Sequence, residues 1–174
     1  SFDLVLSNLG INNFSDPYSV IRESYRLLKS GGYFCISTNV EGHMDRFYRV
    51  FEQVLAQAGY EDRLLQLQTH RAHRLNANKL IASFTDAGFS IEKNISDRFV
   101  LRFASGSAFL NHYFIQLAFM DAWKKLVPFE RQQPIFRELE ARLNAAAKAE
   151  GELTMTVPML YLSGIKTRKY AKEK

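Results

Sequence analysis

The chain has 174 residues and a net charge of +5, and 47% of it is hydrophobic. That length suffices for one domain with a substantial core, and no apolar run approaches the ~20 residues that span a bilayer. The stretch Lys166–Lys174 holds five basic residues and one acid, which leaves only +1 on the rest of the chain. Charge confined to a terminal tail argues against a phosphate-binding surface, so no nucleic-acid partner is expected.

Leu4–Leu6 is a short, continuously apolar run, the mark of a strand covered on both faces. Because the chain opens almost inside that strand, residues 1–174 read as a single domain forming the rear part of a larger α/β fold. Asp16 caps a helix with Pro17 at its first position, where a missing N–H costs nothing. Val20, Ile21, Ser24 and Leu28 form its inner stripe, and Gly31 or Gly32 supplies the positive φ that ends it. Tyr33–Ser37 is the next strand, and strand–helix–strand implies a parallel, right-handed pair. Cys35, the single cysteine, reads as a buried structural thiol in a reducing compartment, consistent with a cytoplasmic protein.

Asp45 opens a second helix through Phe47, Phe51, Val54 and Leu55, with Gly59 at its end. Leu64–Leu67 forms a short turn before the basic segment Thr69–Arg74. Asn78 caps a helix that Gly88 stops. Alternation over Phe89–Phe103 indicates extended structure, with a break near Ser96 and Asp97. Ser105–Leu126 is the longest helical pattern, with a main stripe of Phe109, Leu110, Tyr113, Phe114, Leu117 and Ala118. Pro134 starts the last helix and Gly151 ends it. A closing strand runs over Leu153–Ile165, with Pro158 at its edge or entry.

Phe2-Asp3-Leu4-Val5-Leu6-Ser7-Asn8, a helix ending Arg26-Leu27-Leu28-Lys29-Ser30-Gly31-Gly32, and Tyr33-Phe34-Cys35-Ile36-Ser37 together resemble class I S-adenosylmethionine-dependent methyltransferases. The match is to the fourth strand, the following helix and the fifth strand of that family. Ala87-Gly88-Phe89 resembles the entry to its sixth strand, and Leu153–Lys166 its antiparallel seventh. Ser7-Asn8-Leu9 and the long helical insertion resemble the small-molecule and malonyl-carrier-protein methyltransferases. The implied fold is α/β: the C-terminal half of a Rossmann-like sheet with flanking helices and a helical insertion before the last antiparallel strand. The family's glycine-rich loop and ribose-gripping acid have no counterpart in this sequence, so those cofactor contacts are not carried over.

The resemblance implies S-adenosylmethionine as cofactor, with Ser7, Asn8 and Leu9 facing its methionine end. Ligands of open parallel sheets sit outside the carboxyl ends of the strands. Asn12, Asn13, Asn39 and His43 are therefore candidate substrate-side residues, although Asn at such positions also simply makes turns. Tyr113, in a helical stripe that reads chiefly as core, is a candidate lining of an apolar substrate pocket. His43, His73 and His112 are candidate bases, and Arg71 and Arg74 candidate anion holders. No catalytic group is assigned and no metal is expected. The sulfonium methyl is already activated, so in-line transfer asks chiefly for positioning and water exclusion. The implied acceptor is a small molecule or a carrier-bound acid, and the chain alone is expected to be inactive. In the family's strand order the fourth strand pairs with the first. A bare edge along residues 2–8 would instead permit a homodimer or interaction module.

Overall fold

The computed structural model describes residues 1–72 and 74–167. In chain order it runs β1 (Phe2–Asn8), a 3-10 turn (Ile11–Asn13), α1 (Pro17–Leu27), β2 (Leu28–Asn39), α2 (Asp45–Gln57), α3 (Leu64–Ala72), α4 (Ala77–Asp86) and β3 (Phe89–Phe103). Then follow α5 (Gly106–Leu110), α6 (Tyr113–Ile115), a π-turn (Gln116–Met120), α7 (Asp121–Lys125), α8 (Phe129–Glu150) and β4 (Leu153–Lys166). Where the sequence reads as a single domain, the chain divides into two compact units. Of the described residues, 1–41, 74–99 and 158–167 make the first, and 42–72 and 100–157 the second.

The first unit is built on the sheet, whose order is β1-β2-β4-β3. β1 and β2 pair in parallel from Leu4↔Tyr33 to Asn8↔Ser37, and β2 pairs antiparallel with β4 from Tyr33↔Ile165 to Asn39↔Met159. Side chains alternate across a sheet. One face therefore carries Phe34, Ile36, Leu160 and Leu162, which pack with Ile21 of α1 and with Leu80 and Phe84 of α4. Asp16 caps α1 by accepting from the Ser19 N–H at 3.0 Å, with Pro17 at the first helical position. The cap of α4 is Asn76, two residues before Asn78, and its side chain accepts from the Lys79 N–H at 3.1 Å.

Several expectations need correcting here. Leu4 and Leu6 are 51% and 67% exposed, so β1 is not covered on both faces: α1 and α4 cover only one. Cys35, on the open face, is half-buried rather than buried. α1 ends at Leu27, not at the glycines; Gly31, at φ 84°, sits in an irregular start of β2 where the register slips between Phe2 and Leu4. β3 is continuous through Ser96 and Asp97.

The second unit is helical around Phe47, Phe51, Phe109, Trp123, Leu139 and Leu143. Trp123 stacks on Phe47 at 4.0 Å and its indole N–H donates to the Tyr48 hydroxyl at 3.3 Å. The Ser105–Leu126 pattern is not one helix: it breaks at Asn111 and His112, then carries the π-turn. Each interruption resets the helical phase, so Phe119, Met120 and Trp123 point into the core while Tyr113 and Leu117 are 77% and 72% exposed. α3 runs on through Arg71, longer than the expected turn. α8 begins at Phe129, so Pro134 lies inside the helix rather than at its start.

Candidate functional site

The carboxyl ends of β1 and β2, in the first unit, bring together most of the expected site residues. β1 stops at Asn8 because Leu9 adopts the left-handed conformation, φ 55°, and donates its N–H to the Ser37 carbonyl at 2.8 Å. A non-glycine residue in that region is held there by its surroundings at roughly 1 kcal/mol or more. The Ser37 hydroxyl donates to the Asn8 side-chain oxygen, which ties the exposed Asn8 amide to β2. Gly10 follows so closely that a Cβ there would lie 3.1 Å from the Ser7 Oγ. The loop is thereby drawn tight against the strand end.

Asn12 fixes that loop. Only 4% exposed, its Nδ2 donates to the Thr38 Oγ1 at 2.9 Å and to the Asn39 carbonyl and side-chain oxygens at 2.8 Å each. Its Oδ1 accepts from the Leu75 N–H at 3.3 Å. The Glu41 N–H reaches the Leu75 carbonyl at 3.3 Å, and the Asn76 amide donates to Glu41 at 2.7 Å. One hydrogen-bonded net therefore ties the loop after β1 and the loop after β2 to the start of α4. Asn12 is buried and its amide is taken up by these partners. Asn39 is engaged by Asn12, and Asn13 is exposed with a long 3.5 Å contact to the Leu9 carbonyl.

The remaining candidates fall elsewhere. His43 and Tyr113 belong to the second unit, His43 buried with its ring stacked on Phe119 at 5.7 Å, Tyr113 exposed. His112 is exposed with its ring edge-on to Phe103. Arg71 is occupied by Asp45 and Glu52 and lies 5.8 Å over the Tyr48 ring, so it is not an open anion holder. His73 lies outside the described residues.

Sequence reasoning missed Thr38, Leu75 and Asn76, whose roles depend on long-range pairing. It also missed Tyr161. A small cavity of about 110 Å3 on the open face is lined by Leu6, Asn8, Cys35, Ser37 and Tyr161. The hydrogen bond with Cys35, helped by partial burial, pushes the Tyr161 phenol above its ordinary value. Asn8, Ser7, Ser37 and the turned backbone offer neutral donors and acceptors. Such a set suits holding a polar or zwitterionic group in place rather than moving protons.

Comparison with known proteins concerns the family and the fold. The family described as "Methyltransferase domain" matches residues 1–36. A demethylmenaquinone methyltransferase of Listeria welshimeri is 35% identical over 124 residues, covering 65% of this chain and 49% of that protein. One from Listeria monocytogenes is 33% identical over the same length, covering 65% and 48%. The chain thus spans about half the length of the curated relatives it matches. Among solved structures, a candidate methyltransferase of Bacillus halodurans superposes with a TM-score of 0.52 at 16% identity, over 96% of this chain and 65% of that one. The YcgJ protein of Bacillus subtilis gives a TM-score of 0.50 at 17% identity, over 97% and 65%. These two likenesses concern the fold. The opening strand–helix–strand is thus similar to the methyltransferase domain family, and the sheet it founds shares the fold of these two solved structures.

Proposed function

We propose that this chain supplies the acceptor-side part, and the methionine-side edge of the cofactor pocket, of an enzyme that methylates a small molecule. The observation that carries the reading is the carboxyl end of β1: an exposed Asn8 amide, set by Ser37 and by the left-handed Leu9. S-adenosylmethionine, when bound, supplies an activated methyl group on a sulfonium. Asn8 and the backbone of Ser7–Leu9 would hold its polar amino-acid end, and their neutral, donor-and-acceptor character fits that group. Asn12 keeps the two loops rigid, which serves orientation. No proton relay is asked of these residues, and none of them is a strong base.

The acceptor follows the relatives. They are named for demethylmenaquinone, which supports a demethylmenaquinone-like small molecule over a carrier-bound acid. Ribose and adenine contacts would come from polypeptide pairing along the open edge of β1, which the length of the relatives supports. Residues 1–174 alone are then inactive. Isothermal titration of the full-length protein with S-adenosylhomocysteine tests the reading. Binding is expected, and Asn8→Ala should weaken it up to about tenfold, the worth of one good hydrogen bond. No binding by the full-length protein, or an Asn8→Ala variant indistinguishable from wild type, overturns it.

A second reading rests on the same edge. β1 pairs on one side only and exposes Phe2, Leu4 and Leu6, so residues 1–174 in isolation would pair strand to strand with a second copy. Sedimentation of the isolated chain should then show a dimer whose Leu4–Leu6 amides lose exchange protection on dilution; a monomer at all concentrations sinks this reading.

A further inference from the structure

The helical segment after the break at Asn111 and His112 is irregular in one place: Gln116–Met120 forms a π-turn between α6 and α7. A π-turn inserts an extra residue, is rare, and recurs where a helix serves a site. Its first and last residues, Gln116 and Met120, both line a groove of about 250 Å3 against α8, wholly within the second unit. Met120, Leu110 and Phe136 form the apolar floor, and Met120 and Leu110 are buried.

The Gln132 side chain donates to the Lys124 carbonyl at 3.0 Å, which ties Lys124 to the start of α8. Gln133, Arg137, Asn111 and Glu140 also line the groove, and Glu140 accepts from the Ser107 hydroxyl. Lys124 and Arg137 are exposed, and among the described residues neither enters an ion pair. Two cations against one carboxylate leave a single net positive charge beside an apolar trough.

We propose that this groove binds a free medium-chain carboxylate. Its head group sits between Lys124 and Arg137, with the Gln133 amide as a further donor, and its hydrocarbon chain lies along Met120, Phe136 and Leu110. The one net positive charge matches a monoanion. A volume below the roughly 300 Å3 of the smallest drug-sized sites restricts the occupant to one short chain. The site shares no residue with the carboxyl end of β1, so it stands or falls apart from the methyl-transfer reading.

Octanoate is the probe, titrated into the full-length protein below its micelle concentration and followed by calorimetry and by amide NMR shifts. Saturable one-to-one binding is expected, with shifts confined to residues 110–124 and 133–140. Octan-1-ol and octyltrimethylammonium should bind at least about tenfold more weakly, because each lacks the charge-assisted hydrogen bonds. Combined Lys124→Gln and Arg137→Gln should cost about tenfold or more with an unchanged thermal melt, since both side chains are exposed. Gln116→Trp, at another exposed position, should block the trough while keeping the charges. Octanol binding as tightly as octanoate, an unaffected double variant, or no saturable binding by the wild type each overturns the proposal.

Discussion

Replacing Asn12 by alanine tests whether the loops at the carboxyl ends of β1 and β2 are held by one buried amide. The side chain is 4% exposed and serves four partners: Thr38 Oγ1, two oxygens of Asn39, and the Leu75 N–H. Its two Nδ2 protons are shared among three acceptors, so alanine removes about two donated bonds and one accepted bond. An unsatisfied buried group costs about 1–3 kcal/mol. The Leu75 contact is long at 3.3 Å, and water can reach part of the loop rim, so the sum is about 2–4 kcal/mol. Urea unfolding of the full-length protein, followed by circular dichroism, measures it. Asn13→Ala is the control: exposed, with one 3.5 Å contact, it should change stability by no more than about 0.5 kcal/mol. Asn12→Asp sharpens the test, since a carboxylate would face three oxygens. Burial among them raises its pKa above the unfolded value of about 3.9. Its stability relative to wild type should therefore be best below about pH 4 and worsen as pH rises through the raised value. Equal midpoints for Asn12→Ala and Asn13→Ala, or an aspartate variant insensitive to pH, would refute the clamp.

Other outcomes follow from the same packing. In Gly106→Ala the new Cβ would sit 2.4 Å from the Leu143 Cβ and 2.9 Å from the Asn144 backbone nitrogen, so it should cost at least about 1–3 kcal/mol in a thermal melt. Phenolate absorbance should show Tyr161 ionising above the ordinary phenol value, and Cys35→Ala should lower it. Because its folded value is raised, the linked stability is full below the unfolded value of about 10 and fades as pH climbs through the folded one. Arg71→Ala breaks partly exposed pairs with Asp45 and Glu52, so a loss of about 1 kcal/mol is expected that added salt narrows.

Local chemistry was readable without coordinates wherever neighbours in sequence settle the structure. Asp16 with Pro17 starts α1, and Gly59, Gly88 and Gly151 end helices at positive φ, because caps depend on a few adjacent dihedrals. The apolar strands Phe2–Asn8 and Tyr33–Ser37, the parallel pair they imply, and the family resemblance they carry were legible for the same reason. Asn8 and Leu9 were placed correctly at the strand end, since strand direction alone puts them there.

What needed the tertiary structure were the features set by residues far apart. A period-based stripe put Tyr113 and Leu117 inside; the helix break and the π-turn turn them outward and bring Trp123 into the core. Asn12 reads in sequence as a candidate substrate-side residue; only the structure shows that Thr38, Asn39 and Leu75 take up its amide. The apolar run Leu4–Leu6 has the composition of a covered strand, yet composition states only that a side chain prefers burial. Whether a face is covered depends on which helices fold back over it, and α1 and α4 both cover the side of Phe34 and Ile36. The residues of one strand determine its own conformation; the rest of the chain decides what that strand presents to solvent, and so where a ligand or another chain can bind.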